Sequence, residues 1–129
     1  MGDKIPLANS YSEYEKALLR LIEALAQPKN DFIRDSVIQR FEFTVELAWK
    51  VARKIYGFSD VSPKMVIREM AQQGLIDDPA IWFDLIEKRN LSSHTYKENI
   101  AEIVFKAAQE AIPIFQQLLE KFKEQNKTQ

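Results

Sequence analysis

The chain of 129 residues contains no cysteine, a single histidine and only three glycines. Without cysteine it has no disulfide framework, zinc knuckle or thiol catalysis, and one histidine does not make a multi-histidine metal site. No apolar run approaches the roughly 20 residues that span a bilayer, and the N-terminus lacks the apolar region of a secretion signal. These absences predict a cytoplasmic protein with no membrane segment, no bound metal and no cofactor.

Charges of the two signs are nearly balanced, with 18 Lys and Arg against 19 Asp and Glu, for a net charge of -1. Proteins that bind nucleic acid through bulk electrostatics usually carry a clear basic excess, so any RNA contact has to be local. Apolar residues make up 46% of the chain, which is typical of a folded domain. We predict a single domain over residues 1–129, with a polar, frayed tail from about residue 124.

The N-terminal part of the chain, as far as Gly57, predicts two helices separated by a break at Pro28. Ser12 and Glu15 form a capping box for the first helix, with Ser10 as the alternative cap. Asn30 caps the second helix, which continues to Tyr56. The apolar stripe of the first helix is Tyr14, Leu18, Leu21 and Leu25, and the seam of the second, which has the packing period of a bundle, is Ile38, Phe41, Val45, Ala48, Ala52 and Ile55.

The rest of the chain predicts three further helices. A short helix has Pro63 at its first position and is closed by Gly74, and Pro79 starts another that ends near Arg89. Thr95 and Glu98 form a capping box for the last helix, which is bent by Pro113 and ends near residue 122. Because no stretch alternates with a period of two, we predict an all-α, up-and-down helical bundle of four main helices plus a short connecting helix.

Candidate chemistry is concentrated in the junction between the last two helices, residues 88–97. Arg89 is suited to holding a phosphate in bidentate fashion, and His94 exchanges protons near neutral pH. Together they could serve metal-independent transesterification at an RNA 2′-hydroxyl. The alternative is structural: Arg89 binds the last carbonyls of its helix, Ser92, Ser93 and Thr95 cap and turn the chain, and His94 packs.

A second candidate cluster lies on the long helix. Glu42, Glu46 and Lys50 are spaced by four residues, so they share one helix face. The two glutamates are candidates for substrate binding together with Arg89 and His94. The alternative is a solvated face with a Glu46 to Lys50 ion pair.

The junction resembles the signature of the HEPN superfamily, in the form Arg89, four residues, His94, one residue and Tyr96, with Asn90 after the arginine. Residues 33–50, IRDSVIQRFEFTVELAWK, are similar to the corresponding helix of the nucleotidyltransferase substrate-binding protein family. Both segments occur in the expected order, so the resemblance covers nearly the whole chain.

The resemblance implies a non-catalytic, substrate-binding subunit that docks with a separately encoded minimal nucleotidyltransferase. It also implies an alternative, because related HEPN proteins are ribonuclease toxins whose motif tyrosine is adenylylated by the partner. Carried over to this chain, Arg89 and His94 line a cleft, Asn90 orients them and Tyr96 accepts AMP. A nucleotide or RNA is then the substrate.

The resemblance further implies a homodimer that brings two Arg/His segments to one cleft. The sequence agrees with this, since Phe43, Leu47 and Trp49 fall off the main seam of the long helix and are predicted to form an exposed apolar surface.

Overall fold

The computed structural model describes residues 11–127, with side chains described as far as residue 125. Within this range the chain forms five α-helices and a 3₁₀ turn, and no strand. The helices are α1 (Ser12–Leu25), α2 (Asp31–Tyr56), α3 (Pro63–Gln72), α4 (Pro79–Leu91) and α5 (Glu98–Lys127), and the turn, Ser92–His94, joins α4 to α5. The predicted all-α bundle with one short connecting helix is confirmed. None of the helices in residues 11–127 combines the length and apolar character that crossing a bilayer requires.

The long helix α2 is the centre of the bundle and contacts each of the other four helices. Asn30 caps it as predicted, because its side-chain oxygen accepts a hydrogen bond from the Ile33 amide at 2.8 Å. Gly57 ends it with a φ of 69°, in the left-handed region that glycine adopts without steric cost. Five of the six predicted seam residues are buried, and Ile55 is half-buried.

A single core runs through the bundle. Helix α5 covers α2 with a stripe of small and aromatic residues, and Tyr14 of α1 donates a buried hydrogen bond to the Phe115 carbonyl at 2.7 Å. Burial of Tyr14 raises the pKa of its hydroxyl well above the ordinary value, so the group stays a neutral donor. The α5 stripe is Ala101, Val104, Ala108, Ala111, Phe115, Leu118 and Phe122.

Both predicted capping boxes are wrong. Helix α1 starts at Ser12 itself, with Tyr11 in the cap position. Thr95 does not cap α5, because its hydroxyl donates to the Ser92 carbonyl at 3.1 Å and closes the 3₁₀ turn instead. The chain needs that turn to reverse direction, so α5 begins three residues later, at Glu98. The alternative cap Ser10 lies outside the described residues.

Two further expectations for helix ends and surfaces need correction. Helix α5 continues to Lys127, so the segment predicted as a frayed tail is helical through that residue. Pro113 lies inside α5 on its exposed side.

Trp49 is not part of an exposed surface, since only 8% of it is accessible. The prediction assumed one buried seam on α2, whereas neighbours on several sides bury a wider face.

Candidate functional site

Arg89, near the end of α4, reaches across to the middle of α2. Its Nε donates to Glu46 Oε1 at 2.9 Å, and its Nη1 lies 3.9 Å from Glu42 Oε2. The second oxygen of Glu46 lies 3.4 Å from Lys50 Nζ. The shared face predicted for Glu42, Glu46 and Lys50 is therefore present, and Arg89 bonds to it rather than to the carbonyls of α4. Two cations share the carboxylate of Glu46.

The hydroxyl groups of the junction are engaged by the backbone. Ser92 Oγ donates to the Arg89 carbonyl, Ser93 Oγ to the Asn90 carbonyl at 3.0 Å, and Thr95 Oγ1 to the Ser92 carbonyl at 3.1 Å. These bonds match the structural alternative, in which the three residues cap and turn the chain. They also leave the serines and the threonine without a role as nucleophiles.

His94 and Tyr96 project from the same turn. Tyr96 is 77% exposed, His94 is also exposed, and their rings meet edge to face with centroids 6.1 Å apart. Within residues 11–127 the imidazole makes no hydrogen bond, so both of its nitrogens remain accessible to a ligand. Asn90 is exposed one position after Arg89. The His94 ring therefore does not pack in the core.

A groove of about 650 Å³ lies beside this turn. It lies between the first half of α2, the 3₁₀ turn and the start of α5, and its lining includes Gln39, Glu42, Thr95 and Tyr96. Glu42 places the Arg89 cluster next to the groove. The structure thus brings Arg89, Glu42 and Glu46 into contact and sets Tyr96 at the same groove, while His94 points to solvent beside it.

The sequence analysis missed Arg34, which lies at the base of this region. Its guanidinium is almost fully buried, donating to Glu98 at 2.7 and 3.1 Å and to Glu102 at 3.1 Å. The signal was present in the sequence, because Arg34 lies one helical turn before Ile38 of the buried seam. A charged residue at a seam position requires partners, and the i, i+4 pair on α5 supplies them.

The ion pairs of Arg34 shift the pKa values of Arg34, Glu98 and Glu102. The hydrogen bonds that Arg34 donates to Glu98 and Glu102 raise its own pKa further above the ordinary value. The bond from Arg34 lowers the pKa of Glu98, and the bonds from Lys29 and Arg34 lower the pKa of Glu102. The first turn of α5 is thereby tied to α2 by charge, which fixes one end of the junction that carries His94 and Tyr96.

The described part of the chain contains no group of three or more Asp, Glu or His side chains arranged to hold a metal ion. The junction presents an arginine, an exposed imidazole and an exposed phenol.

Comparison with known proteins agrees with this geometry. The family model described as "Nucleotidyltransferase substrate binding protein like" matches residues 9–124. The chain belongs to this family. The membership confirms the resemblance that residues 33–50 and the Arg/His/Tyr junction indicated from the sequence.

Solved structures of similar proteins have the same fold. A crystal structure of a Thermus thermophilus protein is 33% identical, with a TM-score of 0.76 over 84% of this chain and 98% of that one. A Haemophilus influenzae structure, described as revealing the fold of a substrate binding domain of a nucleotidyltransferase, is 25% identical, with a TM-score of 0.65 over 91% of this chain and 96% of that one.

A curated relative has a different description. The Haemophilus influenzae protein named "Probable ribonuclease HepT" is 29% identical over 109 residues, covering 74% of this chain and 71% of the relative. Proteins similar to this chain are thus described either as a substrate binding domain or as a probable ribonuclease, the same two functions that the sequence left open.

Proposed function

We propose that this chain is the substrate-binding partner of a separately encoded nucleotidyltransferase, and that it presents Tyr96 to that enzyme. The observation that carries the proposal is the exposure of Tyr96, which places its hydroxyl in solvent at the edge of the 650 Å³ groove. Family membership supports the choice of partner. Glu42 lines the groove together with Tyr96, the His94 ring meets the Tyr96 ring, and Glu42 and Glu46 hold Arg89 on the adjoining face. We infer that these residues form the surface on which a nucleotide substrate binds.

The proposed transfer is an adenylylation. Tyr96 Oη attacks the α-phosphorus of ATP, a new phosphorus–oxygen bond forms, and the bond to pyrophosphate breaks. The phenolic proton passes to a base of the nucleotidyltransferase or to water, and pyrophosphate leaves with the displaced electron pair. Arg89, which Glu42 connects to the groove, contributes a positive charge that favours the approach of the anionic nucleotide.

Intact mass spectrometry tests this proposal directly. The purified chain is incubated with its host's nucleotidyltransferase, ATP and Mg²⁺, and we expect a mass increase of one AMP in the wild type and none in Tyr96→Phe. Tyr11→Phe is the matched control, because Tyr11 stacks on Phe122 away from the junction, and it should be modified normally. Failure of the two proteins to associate, or equal modification of Tyr96→Phe, contradicts the proposal.

A second candidate function is a metal-independent ribonuclease, held in check by the partner as in a toxin–antitoxin pair. It is favoured by the exposed imidazole of His94, five residues after Arg89, and by the relative named as a probable ribonuclease. An RNA 2′-oxygen attacks the adjacent phosphorus and the 5′-oxygen leaves. His94 moves the proton, Arg89 stabilises the charged phosphate and Asn90 orients them.

RNA cleavage in the presence of a chelator tests this second function. Unmodified wild type should cleave RNA, and His94→Ala should lose at least about 100-fold in rate, the lower end of what a general acid or base contributes. Ser93→Ala, at an equally exposed position of the same turn, should retain activity. Cleavage that survives His94→Ala excludes His94 as the proton-transfer group.

We also propose that the active form is a cytoplasmic homodimer. The support is an exposed apolar stripe on α2, since Phe32 is 85% exposed and Phe43 is 51% exposed, with Leu47 half-buried on the same face. Light scattering after size-exclusion chromatography should give a dimer for the wild type and a monomer for Phe43→Glu. A monomeric wild type contradicts the proposal.

A further inference from the structure

A second pocket lies on α2, two turns beyond the Arg89 cluster. It has a volume of about 430 Å³ and is lined by Trp49, Lys50, Arg53, Lys54 and Val61. The last two turns of α2 supply the cations, and the loop between α2 and α3 supplies Val61, which is 72% exposed. Three of the five lining residues are cationic and none is acidic. The lining itself is therefore positively charged, while Glu46 lies one turn before Lys50 and Asp60 precedes Val61 in the chain.

The three cations differ in how they are held. Arg53 Nε donates to the Asp60 carbonyl at 2.6 Å, so Arg53 anchors the loop that forms the pocket wall. Lys50 lies over the Trp49 ring, with Nζ 5.6 Å from the ring centroid, and its ion pair with Glu46 is long at 3.4 Å. Lys54 is exposed and makes no ion pair within the described residues. Lys50 and Lys54 are therefore available to an anionic ligand.

The pocket is continuous with the junction. Glu46 lies between Arg89 at 2.9 Å and Lys50 at 3.4 Å, and Lys54 follows Lys50 by one helical turn, a rise of about 6 Å. Along this face the order is Arg89, Glu46, Lys50 and Lys54, so the uninterrupted row of cations consists of Lys50 and Lys54. Phosphates in a single strand repeat along such a row, and the exposed apolar side chain of Val61 offers a surface for a base.

We propose that this pocket binds single-stranded RNA, with Lys50 and Lys54 contacting successive phosphates and one nucleotide resting against Val61. A flat acidic protein surface fits less well, because the site is concave and has the volume of a small-ligand pocket. The proposal extends the RNA-dependent candidate function above. It concerns binding, so it does not require that the junction cleave the strand.

The test is fluorescence anisotropy with a fluorescein-labelled 12-nucleotide oligouridine, using the full chain in the His94→Ala background so that the probe stays intact. Lys50→Gln/Lys54→Gln should weaken binding at least tenfold at 50 mM salt. It should also reduce the slope of log affinity against log salt by about 1.4, since each lost phosphate contact removes about 0.7 for a single strand. A thermal melt checks that the variant is folded.

The matched control is Lys16→Gln/Lys106→Gln, which changes the net charge equally at two exposed lysines on α1 and α5. It should bind within twofold of the parent with an unchanged salt slope. Equal weakening in both double variants reduces the effect to net charge and overturns the proposal. So does a parent chain that binds no oligouridine, or polyglutamate that displaces the probe as well as unlabelled RNA does.

The outcome also separates this proposal from the ribonuclease candidate. RNA binding that depends on Lys50 and Lys54, together with wild-type chain that cleaves nothing, supports the pocket and rejects the nuclease. Cleavage that depends on His94, together with binding that is indifferent to the two lysines, does the reverse.

Discussion

Two arginines of this protein each face two glutamates on another helix, but their environments differ. Arg34 on α2 is almost fully buried and makes three bonds of 2.7 to 3.1 Å to Glu98 and Glu102. The side chain of Arg89 on α4 is 31% exposed, with one bond of 2.9 Å to Glu46 and a loose contact of 3.9 Å to Glu42. The residue types are the same in both clusters, so burial and geometry make the difference.

This difference separates a structural ion cluster from an accessible one. Glu98 and Glu102 are themselves partly exposed, but the guanidinium of Arg34 is buried and its loss of these carboxylates would carry a desolvation penalty, so Arg34 ties α5 to α2. Arg89 keeps access to water, and an incoming phosphate can replace Glu46 at modest cost. Arg34 also lines the groove beside Tyr96, but its guanidinium is occupied by Glu98 and Glu102, so we assign the proposed contact with substrate to Arg89.

The largest expected effect is on stability, when each of the two arginines is replaced in turn. Arg34→Met is expected to lower the free energy of unfolding by about 2 kcal/mol, because several charge-assisted hydrogen bonds are lost. Arg89→Met should cost less than about 1 kcal/mol, because its cluster is partly solvated. Urea denaturation measures both. Arg20→Met, at an exposed 3.5 Å pair with Glu23, is the control and should change stability by less than about 0.5 kcal/mol. Equal costs for Arg34 and Arg89 would refute the distinction.

Acid should weaken the Arg34 cluster. Arg34 lowers the pKa of Glu98, and Lys29 and Arg34 lower that of Glu102, so their contribution to stability is present above the ordinary carboxyl value of 4.5. It is lost as the pH falls below 4.5 through the lower folded-state pKa values. Urea midpoints between pH 7 and pH 3 should therefore fall less in Arg34→Met than in the wild type. Parallel pH profiles would contradict this assignment.

The smallest expected effect is that of replacing Glu46 on the affinity for RNA. Glu46→Gln removes the carboxylate that Arg89 and Lys50 share, so both cations become more available to a phosphate. We expect oligouridine affinity to rise about threefold, a change of less than 1 kcal/mol, with stability nearly unchanged. Glu87→Gln, an equal charge change at an exposed position of α4, should leave the affinity within the range of a nonspecific charge effect. A drop in affinity for Glu46→Gln would show that Glu46 positions Arg89 for the ligand instead of competing with it.

Much of the fold could be predicted because its signals are local. The Asn30 cap, the Gly57 stop and the seam from Ile38 to Ala52 depend on spacing within one helix, and all were confirmed. The Thr95 capping box was wrong because the Thr95 hydroxyl donates to the Ser92 carbonyl, three residues earlier, and closes the 3₁₀ turn instead. The predicted exposure of Trp49 was wrong because its burial depends on neighbouring helices, which the pattern of one helix does not include.

The residues of the candidate site were predicted from the sequence, whereas the contacts between them depend on how the helices pack. Arg89, Asn90, His94 and Tyr96 were found because they lie within eight consecutive residues. The contact of Arg89 with Glu46 and the pairing of Arg34 with Glu98 join residues 43 and 64 positions apart. The spacing of residues within one helix does not predict contacts over such separations. The cationic pocket at the end of α2 was missed for the same reason, because Val61 comes from the following loop.

The amino-acid sequence by itself determined an all-α bundle, most of the helix boundaries and the resemblance to the family, since these follow from periodicity, caps and short motifs. The tertiary structure alone decided which of two similar arginines is buried, which hydroxyls are consumed by the turn, and that Tyr96 is exposed. The physical reason is that burial and long-range ion pairing are properties of helices packed together. How far a side chain is exposed to solvent depends on the helices that pack around it.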